Sequence, residues 1–437
     1  MKRDQLPFRI AAWSNRVQVS FNSGGGAAMA LYLVTGAAII VFLFMTVHHR
    51  DPQETRKNDR YRRALIVWIE HGYFHHGGLA FKESVDQNPS QELWQSSSMG
   101  FLQGAHLLER MNYRFRGGFS DRLLVLHNQA IVLLSAALLG LMGMRSALGL
   151  GIAPRSAFVL GLACQTVYQT FPHNVWYYWE IYPTAVVSLI GIGWLICEEA
   201  GFERTIDKRW FMAVRTVAVF LLMWVEPYGS FFFVSTYMAV LFILSPAEFK
   251  RVKVIFTVLT PAAAAVLLYT VQLLFVTIRY PLVKFTGNGF FFRTGLDGSR
   301  EYMNGQWDLT TRRWPIPWLI NRWPTLFLAG TAALVIVVVL YLTKVPRLRS
   351  SLFVLCTFSG LYVPFAFMFS QAAVIHPYGY DVYLVIPLIL ALFALLPAAL
   401  ERLSSETGVL VYVSILTAFC FTWVQLRTYA MQFPLPH

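Results

Sequence analysis

Between His48 and Arg63 the chain reads HHRDPQETRKNDRYRR. Nine of these sixteen positions are Lys, Arg, Asp or Glu, in a protein whose charged residues make up 14%. Three acids (Asp51, Glu54 and Asp59) stand among six bases. A carboxylate within hydrogen-bond reach can take a proton from a hydroxyl. A planar guanidinium can pair with two phosphate oxygens at once. The plainer reading is a solvated charged linker drawn to anionic lipid head groups.

Other polar constellations lie far from this one in sequence. HPYGYD, His376 to Asp381, places a His, two Tyr and an Asp directly before an apolar run. His376, Tyr378 and Tyr380 can donate hydrogen bonds to phosphate oxygens, or they form an interfacial aromatic belt with an acid at a helix start. Asp86, His173 and Glu180 (in FPHNVWYYWEIYPT), Glu226 (in VEPYGS) and the Arg-rich segment 277–323 complete the set. Ionisable groups at the mouths of apolar helices are candidate functional sites, although helix ends are often simply polar. His71 and His75, four apart with His76 adjacent, have the spacing of zinc ligands on a helix, but no third ligand lies nearby. No GxxxxGK[ST], GxSxG, HExxH or GxGxxG occurs, so nucleotide hydrolysis and serine-hydrolase chemistry have no support.

The elements that must position these groups are apolar helices. The chain has 437 residues, 56% of them hydrophobic, and a mean hydropathy of +0.50. A membrane crossing needs roughly 20 mostly apolar residues. Helices are expected near 28–47, 123–144, 155–171, 177–197, 209–225, 229–246, 254–276, 324–343, 351–370, 382–400 and 406–426. The expected fold class is all-α: a polytopic membrane helix bundle of about 11 spans, forming one domain over 1–437. The first apolar run is too long for a signal-peptide core, and no small-residue cleavage site follows it. All four cysteines fall in apolar segments and read as buried hydrophobes, without a disulfide framework.

Two long connections interrupt this pattern, at 48–122 and 277–323. In the first, Tyr61, Ala64, Leu65, Trp68 and Ile69 repeat at helical spacing, one apolar stripe of a helix lying along the membrane interface. Trp94, Phe101, Leu102, Ala105 and Leu108 form a sparser stripe, and HHGGLAFKESVDQNPSQE between the two reads as loop. In the second, Trp314, Trp318 and Trp323 suit a loop folded over the head-group level. The net charge of +13 is expected to serve lipid and topology, with no nucleic acid among the partners. Short basic connections alternate along the chain and place the N-terminus in the cytoplasm. The long connections then face the periplasm or exterior, although they carry eleven and seven Lys and Arg.

Taken in order, the first helix, the acid-bearing RDPQETRKNDRYRRALIVWIEHGYF, the second amphipathic stretch, the helical bundle and the late HPYGYDVYLVIPLILAL give a layout. That layout resembles the GT-C glycosyltransferases, integral membrane enzymes that use polyprenyl-phosphate-linked sugars. The resemblance implies hexosyl or pentosyl transfer to a cell-envelope glycan or lipid acceptor, on the outer face of a bacterial inner membrane. In many such enzymes an Asp after helix 1 acts as base or holds a divalent metal. Here Asp59, in Asp59-Arg60-Tyr61, matches best and Asp51 competes. Separated acids stand where many relatives have an adjacent Asp-Glu pair, so both remain candidates. Arg60, Arg293, Arg300, Arg312 and Arg313 are the expected phosphate contacts, with Asp86, Glu180 and Glu226 near the substrate and His376, Tyr378 and Tyr380 completing the donor site. Two other readings stay open: a ligase moving a glycan from a lipid diphosphate, and a glycolipid flippase. Helix centres nearly free of acids argue against ion-coupled transport.

Overall fold

The computed structural model describes residues 121–149, 152–170, 183–202, 208–244, 254–279 and most of 386–396. It also describes short pieces at 74–75, 80–82, 93–95 and 284–285, and Gly100, Gln103, Gly104, Leu107 and Arg110. The expected spans at 28–47, 324–343, 351–370 and 406–426 lie outside these residues, as does the stripe from Tyr61 to Ile69.

The described residues are overwhelmingly helical. Helices α1 (Asp121–Gly149), α2 (Pro154–Thr170), α3 (Pro183–Phe202), α4 (Lys208–Val225), α5 (Pro227–Leu244) and α6 (Thr260–Arg279) stand where apolar runs predict them. Prolines set three of their starts. Pro154, Pro183 and Pro227 each occupy the first helical position, where the missing N–H would find no intrahelical partner anyway and the fixed φ already suits a helix. This corrects the bounds expected for the fourth span, 177–197: its helix begins at Pro183 and runs on to Phe202, which brings Glu198 inside it.

Gln129–Leu148 and Ile255–Phe275, 20 and 21 residues, are long and apolar enough to cross a membrane. At about 1.5 Å per residue each covers roughly 30 Å, the thickness of a bilayer's hydrocarbon core. Buried hydroxyls find acceptors within their own helices: Ser135 Oγ donates to the Ile131 carbonyl at 2.8 Å. Thr216 does the same to Met212, with its group half-buried. Such back-bonding lets a hydroxyl sit among apolar neighbours without an unsatisfied donor.

Two wide π-helical turns, Ile255–Leu259 and Ala391–Leu395, share a cause. The N–H of Thr260 reaches back five residues to Ile255 O, and that of Leu396 reaches Ala391 O. Each turn ends two residues before a proline, Pro261 and Pro397. A proline has no N–H to offer the carbonyl one turn back, and its ring crowds that carbonyl. Widening the turn relieves both demands.

Helix α1 packs on α2 and α3, α3 on α4, and α4 on α5, α6 and the first wide turn. The second wide turn lies against α1 and α2. Gly143 marks how close that three-way contact is. A Cβ there would stand 2.8 Å from Cys164 Sγ and 3.7 Å from the Ala394 Cβ. Small residues allow such an approach where little but dispersion holds helices together. Trp194, Tyr168, Tyr237, Phe233 and Phe393 are the largest fully buried side chains. Helix α6, by contrast, leaves Val266, Leu267, Val271, Leu274, Phe275 and Ile278 exposed.

Four extended pieces qualify the all-helical expectation: β1 (Phe74–His75), β2 (Ala80–Lys82), β3 (Leu93–Gln95) and β4 (Lys284–Phe285). They pair in that order, β1 with β2 and β2 with β3 antiparallel, β3 with β4 parallel. The stretch expected as loop thus carries a hairpin. The second apolar stripe does not begin at Trp94, which is in β3; helix is found at Gly100, Gln103, Gly104, Leu107 and Arg110. His75 is in β1, so the helical spacing that suggested zinc with His71 does not apply. Pairing of Trp94 with Lys284 and Gln95 with Phe285 joins the two long connections.

Candidate functional site

Of the residues expected to carry the transfer chemistry, Glu226 is the one among those described. Asp51, Asp59, Arg60, Asp86, Glu180, Arg293, Arg300, Arg312, Arg313, His376, Tyr378 and Tyr380 lie outside the described residues. No group of three or more His, Cys, Asp or Glu comes together among the described residues, and Asp51 and Asp59, to which a metal role attaches, are outside them.

Glu226 occupies a sharp corner. Its N–H still bonds Leu222 O at 3.1 Å, closing the last turn of α4, while its carbonyl accepts the Ser230 N–H at 3.1 Å and opens α5. The Ser230 hydroxyl donates to Leu222 O at 2.6 Å. Eight residues of straight helix would hold those atoms far apart, because the chain climbs about 12 Å over eight residues. The axis must therefore bend sharply at Glu226-Pro227. The carboxylate is buried, at 5% exposure, and sits at the N-terminus of α5. There the helix dipole favours negative charge.

The first long connection docks at this corner. A Cβ on Gly100 would fall 2.4 Å from Trp224 O and 2.7 Å from Trp224 Cδ2, so the helical segment rests directly on the end of α4. One turn on, Gln272 Nε2 of α6 donates to Gln103 Oε1 at 3.3 Å. Gln95 of β3 is five residues before Gly100, and Lys284 of β4 is five residues after Arg279 at the end of α6. Five residues reach at most about 18 Å. The strand pair therefore lies at the same end of the bundle as Glu226.

The half of α4 nearer Lys208 holds a group that the sequence reading passed over. Arg215 donates from Nε to Glu198 Oε1 and from Nη2 to Glu198 Oε2, both at 2.7 Å. Trp194 Nε1 donates to Glu198 Oε1 at 2.7 Å, and Arg215 Nη1 donates weakly to Thr257 Oγ1 at 3.4 Å. The guanidinium lies over the Phe211 ring, 4.4 Å from its centroid, and 5.9 Å from that of Tyr237. Tyr237 in turn packs against Trp194, with centroids 4.4 Å apart. Both charges are buried, Glu198 completely and Arg215 to 4% exposure. This cluster ties α3, α4, α5 and the wide turn before α6. A lone arginine in an apolar run was the available signal, since a buried charge requires a partner.

Compared with known proteins, the chain matches no family model, no curated relative and no solved structure.

Proposed function

We propose that this protein is a multi-pass membrane glycosyltransferase of the GT-C type, working at the outer face of a bacterial inner membrane. It moves a sugar from a polyprenyl-phosphate donor to a cell-envelope glycan or lipid acceptor. The observation that carries this reading is the pairing of β3 with β4. It joins the connection bearing Asp51 and Asp59 to the connection bearing Arg293, Arg300, Arg312 and Arg313. Sugar transfer from a lipid phosphate needs both kinds of group at one place: a carboxylate to take the acceptor's proton, and guanidinium groups to stabilise the departing phosphate. The buried carboxylate of Glu226 belongs to the same end of the bundle.

The test is transfer by the purified protein in proteoliposomes, from a radiolabelled polyprenyl-phosphate hexose or pentose to a cell-envelope extract. Transfer is expected from a monophosphate donor. Transfer only from lipid diphosphate-linked glycans would replace this reading with a ligase. Movement of glycolipid between leaflets, with no transfer from any donor, would replace it with a flippase.

A further inference from the structure

We propose that one side of α6, together with the wide turn before it, is a lipid-facing wall that lies against phospholipid acyl chains through the whole hydrocarbon layer. The face is continuous. Phe256, Leu259, Leu267, Val271, Leu274 and Ile278 are all exposed, Leu267 to 65% and Ile278 to 80%. The other side, with Val258 and Ala265 fully buried, packs on α4. Between Val254 and Ile278 the sequence has no Asp, Glu, Lys, Arg or His. Lys250, Arg251 and Lys253 come before this stretch and Arg279 directly after it. From Ile255 to Ile278 it rises about 35 Å, at roughly 1.5 Å per residue, slightly more than the roughly 30 Å of a hydrocarbon core. Bases at both ends are placed to meet head groups.

Two features choose lipid over a second copy of the chain or water. The first is width. At about 100° per residue, the exposed side chains from Val266 to Phe275 fan over roughly half of the helix circumference. One helix laid against them would cover only a narrower seam, whereas acyl chains cover any width. The second is the treatment of the hydroxyl at the depth of the face. Thr270 is exposed, yet its Oγ1 donates to Val266 O within the helix at 2.8 Å, as a hydroxyl surrounded by hydrocarbon must. Thr260, the other exposed threonine, stands nearer the basic end. The inference rests on the membrane-bundle part of the reading above and not on the transfer chemistry.

The test places the photoreactive amino acid p-benzoylphenylalanine at Phe256, Leu267 or Ile278, one site at a time, in the full-length protein in phosphatidylethanolamine–phosphatidylglycerol proteoliposomes. Irradiation should add the mass of one phospholipid at each site, read by intact-mass spectrometry, which would put lipid at both ends of the face and at its middle. Phe233, enclosed in the core, is the inward control and should show no such gain. A covalent dimer would put a second copy on the face. Cross-links only within the chain would put another of its own segments there. No cross-link at any site, in variants that elute as the wild-type protein does, would put water there. Each of these results overturns the proposal, as does an equal lipid adduct at Phe233. Any one of the three exposed-site variants that folds decides between them. Sugar transfer is measured separately: its absence would remove the transferase reading and leave the lipid face standing.

Discussion

The two halves of α4 handle buried polarity in opposite ways. Around Arg215, a full charge pair is taken out of water and closed on every side: two parallel hydrogen bonds, an indole N–H, a hydroxyl and an aromatic face. Near Val225, the Ser230 hydroxyl and the Gln272 amide nitrogen have partners, but the pairing is incomplete. Trp224 Nε1 and Gln272 Oε1 are left without partners, and a gap lies beside Gly104. A satisfied buried network fixes a single arrangement of helices; an unsatisfied one costs free energy that only a ligand or water can recover. The first group locks helices together; the second leaves two buried atoms whose partners are not within the protein.

The largest expected effect comes from breaking the closed end. Arg215→Ala strands the Glu198 carboxylate among Trp194 and the wide turn, and should cost about 3–5 kcal/mol, as unpaired buried charges do. Glu198→Ala should cost a similar amount. The double variant Glu198→Leu/Arg215→Met should recover most of the loss, because two apolar groups need no pairing. Denaturant unfolding in micelles reads all three. A single variant as stable as wild type would mean that the pair contributes nothing to holding α3 on α4.

Glycines sharpen the comparison at the other end. Gly100→Ala drives a methyl into backbone atoms of Trp224, which cannot swing aside, and should cost about 1–3 kcal/mol. Gly104→Ala, four residues on, meets nothing and gains helix propensity of up to about 1 kcal/mol. The same substitution on one helix face should therefore change stability with opposite sign. Equal melting temperatures for the two variants would contradict the docking of this segment on α4. Smaller still is Ser230→Ala, which removes the hydroxyl bound to Leu222 O across the corner. A loss of about 0.5–1.5 kcal/mol is expected, and thermal unfolding of the purified protein checks it.

Much of the bundle was legible because its message is local. Apolar runs of span length announce α1 to α6, and Pro154, Pro183 and Pro227 fix three starts more sharply than any averaged hydropathy. The wide turns were equally local, yet only Pro261 and Pro397 hint at them, and proline alone does not say whether a helix kinks, ends or widens. Strands of two or three residues carry no periodic signal at all. The ion pair was missed for a different reason. Glu198 stood one residue beyond the expected end of its span, and one arginine barely changes the apolarity of α4. Their meeting across 17 residues is a fact of helix packing, as is the contact of Gly100 with Trp224. Glu226 was legible as a candidate because an acid before Pro at the mouth of an apolar helix is conspicuous; its buried corner was not.

The most direct measurement compares chemistry with structure in one assay. Sugar transfer from a polyprenyl-phosphate donor and thermal unfolding are measured together for wild type, Asp59→Asn, Asp51→Asn and the double variant Glu198→Leu/Arg215→Met. One of the two Asp variants, with Asp59 the first candidate, should lose about 10²–10⁴-fold in rate, the usual cost of a missing general base. Its melting temperature should not move. The double variant should keep transfer within a few-fold of wild type. Full activity in both Asp variants, with transfer lost when a well-folded double variant replaces the ion pair, would place the chemistry at the wrong end of α4 and contradict the assignment.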